Sequence, residues 1–297
     1  MKVRISYRKL GKVRFLGHLD MARLWERGLR KAAVPVAMSA GFTPRPKVSF
    51  GLALPTGAES VVELFDVTLD PGVDHGVDHG VDHGVDLDID HGVDHERLQS
   101  SLSGAMPPGI DVLDVDSASP LVWSLQEDVT ATTWVMAIDS TTENEMYDRV
   151  SEVVDAPEIW IERERKGERR RDDVRPGVLD LRVVTRDNWS SASEIASWAD
   201  DVARLSSNVQ FVEATLTTSG RGVRPTEMAE VLRPGVDPWV TMPRVVRTHQ
   251  WIGRDDAPRV SARAGKDITH DESLERRLER LEQRRAPEPA GRTGTVH

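Results

Sequence analysis

The hydrophobic pattern of the first seventy residues changes period twice, and this leaves few folds open. Val3, Ile5 and Tyr7 alternate with Lys2, Arg4, Ser6 and Arg8, the period of a strand with one buried face. Leu10-Gly11 reads as a turn, after which Val13, Arg14 and Phe15 resume the alternation. From about His18 to Ala33 the spacing becomes three and four: Met21, Leu24, Trp25, Leu29 and Ala32 make one apolar stripe of a helix. Asp20 falls in its first turn and Arg30 and Lys31 in its last, where the helix dipole favours each sign. Pro35 stops the helix. Pro35–Ser39 suits a short strand, and two prolines stiffen the loop Gly41-Phe42-Thr43-Pro44-Arg45-Pro46. Alternation then returns through Val48, Phe50, Leu52 and Leu54, and again, after a turn at Pro55-Thr56-Gly57, through Val61, Glu63, Phe65, Val67 and Leu69.

Residues 72–95 form a low-complexity tract, GVDHGVDHGVDHGVDLDIDHGVDH. Beyond it, Glu96–Met106 has helical spacing and Ile110–Val115 reads as a strand. With the tract set aside the order is strand, helix, two strands, helix, strand, the split βαβ plan of ferredoxin-like domains. The second half repeats it more loosely. Strands are expected at Thr133–Ile138, Glu158–Ile161, Val178–Val184 and Val209–Leu216, and helices at Glu143–Val154 and Pro225–Leu232, with a charged hairpin tip between Arg163 and Arg171. The expected fold class is therefore α+β: two ferredoxin-like halves in tandem, with a low-complexity insert and a mobile C-terminal tail. The corresponding domains are a basic one over 1–118, containing the 72–95 insert, a second α+β domain over 119–252, and a disordered tail over 253–297 with one helical stretch at Ser273–Gln283.

Charge is divided unevenly along the chain. Residues 1–50 hold twelve Lys and Arg against two acids, Asp20 and Glu26, a local charge of about +10. The net charge is −10, so the remainder carries about −20. Such a split calls for a polyanionic partner at the basic end. Arg23, Arg27 and Arg30 share a second stripe of the first helix, and Arg4, Arg14, Arg45 and Lys47 join it in one surface if strand, helix and proline loop meet. Lys31 and His18 flank the stripe. These nine residues (Arg4, Arg14, His18, Arg23, Arg27, Arg30, Lys31, Arg45 and Lys47) are the expected nucleic-acid contacts. Aromatic residues are 5% of the chain, with Tyr7, Phe15 and Phe42 nearest, while Trp25 and Phe50 fall on apolar faces. That scarcity favours recognition of RNA by backbone and shape over base-by-base stacking.

The absence of cysteine excludes disulfides, thiolate catalysis and an iron–sulfur cluster held by the chain's own thiolates. No P-loop, Rossmann fingerprint, GxSxG elbow or HExxH motif is present. His18 and Asp20 are two apart, which points them to different helix faces, so no catalytic residue is assigned. His75, His79, His83, His91 and His95 alternate with aspartates, a composition that can hold metal loosely, but glycine at every fourth residue reads as an expanded acidic loop and no metal site is assigned. Gly220-Arg221-Gly222-Val223-Arg224-Pro225 precedes a helix start and reads as a simple turn. MKVRISYRKL lacks the apolar run of a signal peptide, and the apolar stretches are short, so a cytoplasmic protein without membrane or cofactor is expected.

The stretch from Lys2 to Ser60 resembles the radical-SAM-linked protein family, an uncharacterised domain attached to or encoded with cobalamin-binding radical SAM proteins. The resemblance lies in Arg14-Phe15-Leu16-Gly17-His18-Leu19-Asp20, Glu26-Arg27, Ser39, Gly41-Phe42-Thr43-Pro44 and Leu54-Pro55-Thr56-Gly57, with family members often having serine where Gly17 stands. A weaker echo runs through Lys166-Gly167, Asp180-Leu181-Arg182 and Val223-Arg224-Pro225; the tract and the tail after 253 fall outside it. The resemblance implies a free-standing accessory domain with a radical SAM protein as partner. At the level of fold alone the paired ferredoxin-like plan is also similar to RNA-binding proteins of the CRISPR repeat-associated type. The expected function is an accessory protein that binds RNA through its basic N-terminal face. The alternatives are an adaptor docking an acidic protein and a metal-independent ribonuclease using His18.

Overall fold

The computed structural model describes residues 1–70, 87–88, 92–118, 125–139, 142–165, 167–185, 193–206, 208–252 and 260–261. Its strands, in chain order, are β1 (Lys2–Lys9), β2 (Val48–Phe50), β3 (Glu59–Thr68), β4 (Leu87–Asp88), β5 (Gly92–Val93), β6 (Ile110–Ser117), β7 (Val129–Asp139), β8 (Trp160–Arg165), β9 (Glu168–Asp173), β10 (Val178–Val184), β11 (Val209–Thr217), β12 (Arg244–Ile252) and β13 (Val260–Ser261). The helices are α1 (His18–Lys31), α2 (His95–Ala105), α3 (Leu125–Asp128), α4 (Glu143–Asp155), α5 (Ser193–Leu205), α6 (Pro225–Leu232) and α7 (Pro238–Thr241). No helix among the described residues is long and apolar enough to cross a membrane.

One mixed α/β body results, built on a nine-stranded sheet ordered β10-β11-β7-β12-β3-β1-β6, with β2 on β3 and β13 on β12. Every pairing in it is antiparallel except that of β12 with β3. In the first half the period-2 face of β1 and the stripe of α1 meet as their spacing requires. Val3, Ile5 and Tyr7 pack with Met21, Trp25 and Leu29, with Phe65 and Val67 of β3, and with Leu98 and Leu102 of α2. Trp25 is wholly buried, tilted against Phe65 at 4.2 Å between ring centroids and edge-on to Tyr7 at 4.8 Å. Asp94 caps α2 by accepting from the Arg97 amide at 2.9 Å.

The second half has helices on both faces of the sheet. Met146, Val150 and Val153 of α4 pack with Met228, Ala229 and Leu232 of α6 over Trp134, Met136 and Ile138 of β7. On the opposite face Ile195, Trp198, Ala199 and Val202 of α5 cover Val135, Ala137 and Val246. Its strand order, β10-β11-β7-β12, also departs from the split βαβ plan, which would place β7 between β11 and β10. Two further differences from the sequence expectation are local. Val13–Phe15 are not a strand but part of a 3-10 turn over Gly11–Phe15, entered through Gly11 at φ 71. The Val48–Leu54 strand stops at Phe50, where the Gly51 amide turns onto the Leu64 carbonyl at 2.9 Å.

The halves join where β12 meets β3. The backbone ladder there is short, Val246 opposite Glu59 and Arg247 opposite Ser60. Side chains extend it: Gln250 donates to the Val62 carbonyl at 2.8 Å, and two buried Glu–Arg pairs cross the seam. Between Ser60 and Glu63 β3 carries one more residue than the facing part of β1, a bulge that re-aims the side chains around it.

Candidate nucleic-acid interface and the buried seam

α1 and the proline loop meet, as the expected surface requires. The loop folds back on itself. Ser39 N donates to the Arg45 carbonyl at 2.8 Å, Arg45 N donates to Ser39 Oγ at 3.0 Å, and Met38 pairs with Pro46. Between this finger and α1 runs a groove of about 550 Å³, with Arg23, Arg30 and Arg45 beside the apolar Leu19, Met38 and Pro44. Phe42 stands fully exposed at the fingertip, and Leu19 is 71% exposed. Among the described residues Arg27, Arg30, Arg45 and Lys47 have no ion-pair partner and all four are exposed. Arg23 is held by Asp20 at 3.4 Å, a solvated pair of little energetic weight. Lys31 donates to the Gly104 carbonyl of α2 at 3.3 Å.

The remaining expected contacts lie elsewhere. Arg4 is on the face of the sheet opposite α1, because Val3 and Ile5 on either side of it enter the α1 core. There it grips Asp66 with Nε at 2.8 Å and Nη2 at 3.1 Å, beside Lys2 at 3.1 Å. Arg4 therefore does not join the α1 surface. Arg14 sits in the 3-10 turn, its Nη1 on the Gly11 carbonyl at 3.2 Å and its guanidinium 4.3 Å over the Phe15 ring. His18 opens α1 and lies edge-on to Phe50 at 5.4 Å, while Asp20 faces Arg23; the two form no dyad. Tyr7, a candidate stacking residue, is only 4% exposed and belongs to the core. Phe15 and Phe42 are open to solvent.

Sequence reasoning missed the seam. Glu63 is 5% exposed and Arg247 not at all. Arg247 donates through Nε at 3.0 Å and Nη2 at 2.6 Å to Glu63, and through Nη2 to the Leu52 carbonyl at 2.9 Å, while its Cζ lies 5.3 Å over the Trp134 ring. Its Nη1 is buried without a hydrogen bond. Lys9, 2% exposed, donates to the Leu16 carbonyl at 2.7 Å. Burial pulls the Lys9 pKa below its ordinary 10.5, opposed in part by the Glu63 carboxylate. Burial, and then the Glu63 charge, push the Tyr7 phenol well above its usual range.

The second pair, Glu59 with Arg244, is further satisfied. Glu59 Oε2 accepts from Arg244 Nε at 2.7 Å and from Trp198 Nε1 at 2.7 Å, and Oε1 accepts from the Gly11 amide at 2.7 Å. Burial, and then the nearby charge of Arg244, lower the Arg14 pKa from the ordinary arginine value. The bulge explains how Glu59 and Glu63, four apart on one strand, serve different surroundings.

Elsewhere several cations are neutralised, although Lys12, Arg169 and Arg224 are exposed without an ion pair among the described residues. Arg221 binds Asp172 at 3.0 Å and Glu227 at 2.8 Å and 3.1 Å, so in the turn before α6 only Arg224 is without an ion pair among the described residues. In the β8–β9 hairpin Arg163 pairs with Asp172, Arg170 with Glu168, and Arg171 stacks 4.9 Å over Trp160. Among the described residues no three His, Asp or Glu are grouped to hold a metal. His75, His79, His83 and His91 lie outside the described residues, as do the tract as a whole and the 253–297 tail apart from Leu87–Asp88, Gly92–His95 and Val260–Ser261. His95 opens α2, with Nε2 3.4 Å from Ser117 Oγ.

No curated protein matches the chain. Among solved structures, one chain described as "Crystal Structure of a Cbf5-Nop10-Gar1 Complex" is similar at 9% identity with a TM-score of 0.38, covering 84% of this chain and 48% of that one. This chain thus spans about half of that one, and a likeness so distant carries no argument. A family match is extensive: residues 2–77 and 79–225 fit the family described as "Uncharacterized protein conserved in bacteria (DUF2344)". That covers well over half of the sequence, and the chain belongs to this family.

Proposed function

We propose that this protein binds RNA through the face formed by α1 and the proline finger, as an accessory to a radical SAM enzyme in the cytoplasm. The observation that carries the reading is four exposed cations, Arg27, Arg30, Arg45 and Lys47, without ion-pair partners among the described residues, in a chain whose net charge is −10. Lys12, Arg169 and Arg224 are also exposed without an ion pair among the described residues, but these four gather on α1 and the proline finger, where they can neutralise phosphates together. The part assigned to a radical SAM partner rests on the sequence motifs alone. The order β6-β1-β3-β2, with α1 and α2 on one face, supports a ferredoxin-like reading of the first half.

Filter binding of single-stranded RNA at several salt concentrations tests the proposal. Four phosphate contacts give a slope of log K against log salt of about −3. The triple variant Arg27→Glu, Arg30→Glu, Arg45→Glu brings that slope toward about −1 and weakens binding strongly at low salt. Binding that ignores salt, or that survives the triple variant, refutes the reading. The exposed Leu19, Met38 and Phe42 beside these cations favour a second reading, an acidic amphipathic protein segment seated in the same groove. Recovery of a polypeptide after nuclease treatment, dependent on Phe42 and Met38, favours that one.

A further inference from the structure

Two large exposed aromatics that are far apart in the sequence meet at one turn. Phe15, which ends the 3-10 turn before α1, is 61% exposed, and Trp239 of α7 is 46% exposed. The turn Pro55-Thr56-Gly57 joins them. The Gly57 amide donates to the Arg14 carbonyl at 2.9 Å, which sets Gly57 beside the Arg14–Phe15 peptide unit. The same glycine carries the Trp239 indole: a Cβ built on it would stand 3.4 Å from Trp239 Cζ3. Most of the large rings of this chain are spent differently. Trp25, Trp134, Trp198 and Phe65 are buried, and the exposed Trp160 is covered by Arg171 with its indole N–H on Glu158. The Trp239 indole N–H has no hydrogen-bond partner among the described residues, and Val240 beside it is exposed as well.

The charges around the two rings are positive. Arg14 is anchored through Nη1 to the Gly11 carbonyl at 3.2 Å and lies 4.3 Å over the Phe15 ring, so a cation backs one side of that ring. Neither Arg14 nor the exposed Lys12 has an ion pair among the described residues. The nearby carboxylate of Asp237 is occupied in capping α7, where it accepts from the Trp239 and Val240 amides at 2.8 Å and 3.3 Å. The rim also continues toward the basic face. α1 opens just after Phe15, and the exposed Leu19 in its first turn lines the groove against the proline finger. Open rings interleaved with uncompensated cations are the composition of a surface that stacks bases and follows a phosphate backbone.

We propose that this rim stacks unpaired bases of a single RNA strand, one on the Phe15 ring and one on Trp239, with the backbone following Lys12 and Arg14. The inference rests on the RNA reading of the α1 face for the class of partner, and it adds strandedness, because a flat ring takes the face of an unpaired base, which a duplex hides. It also reverses the sequence expectation of recognition without stacking: the aromatics are few, but two of them are brought to one place by a turn that no local pattern marks.

Fluorescence anisotropy with labelled oligo(U) tests the proposal, beside an abasic strand of equal length and phosphate number. Oligo(U) is expected to bind about tenfold or more tightly than the abasic strand. Phe15→Ala and Trp239→Leu each weaken oligo(U) by about tenfold, leave the abasic strand unchanged and keep the salt slope of the parent, because a lost stack releases no counterions. Trp239→Leu retains an apolar contact with Gly57, and Trp239→Phe restores a stacking face and most of the affinity, all with melting temperatures at the parent's value. Equal affinity for the abasic strand overturns the proposal, as does oligo(U) affinity unchanged in Phe15→Ala and Trp239→Leu, or no oligo(U) binding at all. A dimer of the parent in sedimentation that Trp239→Leu dissociates, with RNA affinity unchanged, overturns it in favour of a second copy of this chain. The triple variant Arg27→Glu, Arg30→Glu, Arg45→Glu separates the two readings. Loss of oligo(U) in the triple variant without loss in Trp239→Leu keeps the α1 face and removes the stacking rim; the reverse keeps the rim and removes the α1 face.

Discussion

Replacing Arg247 by methionine strands a carboxylate inside the protein. Glu63 is 5% exposed and takes three hydrogen bonds from Arg247 between 2.6 and 3.0 Å. Removal of one partner of such a buried pair costs about 3–5 kcal/mol, because the survivor loses its compensation without regaining water. Lys9, the other cation acting on Glu63, is already committed to the Leu16 carbonyl. For a folded unit of this size about 4 kcal/mol lowers the melting temperature by about 8–16 °C. The double variant Glu63→Leu, Arg247→Met removes both charges together, and replacement of buried pairs by apolar groups is near neutral or stabilising by about 1–4 kcal/mol. Urea titrations followed by circular dichroism, on the parent, both single variants and the double variant, close the cycle. The expected result is two destabilised singles and a double far more stable than their sum. A loss below about 1 kcal/mol in Arg247→Met, or a double as unstable as the two singles added, refutes the argument that this pair is buried and coupled across the seam.

Other outcomes follow from separate parts of the fold. The Asp172 carboxyl, hydrogen-bonded first by Arg221 and then paired with Arg163, titrates below its ordinary 3.8, so its contribution to stability is present above that pH and is lost as pH falls through the lower folded value. Asp172→Asn flattens that acid limb in a melting-temperature profile against pH, and an unchanged profile refutes the assignment. Gly109→Ala destabilises by more than about 1 kcal/mol, because Gly109 has φ 93 and an added Cβ would stand 2.6 Å from the Leu10 carbonyl. A urea midpoint equal to the parent's contradicts this. Asp94→Ala removes the cap of α2 at a cost of about 1 kcal/mol by the same measurement; no change in midpoint means the Arg97 amide is satisfied otherwise.

What the sequence made legible was whatever depends on local periodicity. The α1 stripe ends within two residues of its expected limit, and β10 and α6 have the expected boundaries, because apolar spacing and Pro225 at the first helical turn settle them locally. α5 carried the same signal in Ile195, Trp198, Ala199 and Val202, at helical spacing, and was passed over. β12 gave no such signal. Its buried positions include Arg247, Thr248 and Gln250, which break the alternation by which a strand is recognised. Those residues are tolerable inside only because Glu59, Glu63 and the Val62 carbonyl meet them, and these partners stand more than 180 positions away along the chain. Long-range electrostatic complementarity leaves no local mark, so the seam was invisible. The basic face was visible in charge, but only the structure separates Arg4, consumed by Asp66, from Arg27 and Arg30, which remain available.

The polar seam also bears on why the two halves share one sheet in one register. The backbone ladder between β3 and β12 spans two residue pairs, too little to fix a register by itself. An apolar seam would allow slippage by two residues with modest loss, since the same faces would remain buried. Here such a slip separates Glu59 from Arg244 and Glu63 from Arg247 at once and leaves four charged groups buried without their counter-charges. The cost of each broken pair is of the order of the net stability of a typical domain divided by a few. The two pairs therefore act as a register key: they add little net stability over apolar residues of the same size, and they exclude the neighbouring alignments. The double variant Glu63→Leu, Arg247→Met separates these two roles. It keeps its stability, while hydrogen-exchange protection of the amides from Val245 to Gln250 falls relative to the rest of the sheet as alternative registers become accessible. Equal protection in the double variant and the parent would mean that the Glu63–Arg247 pair is not needed to hold the alignment of β12 on β3.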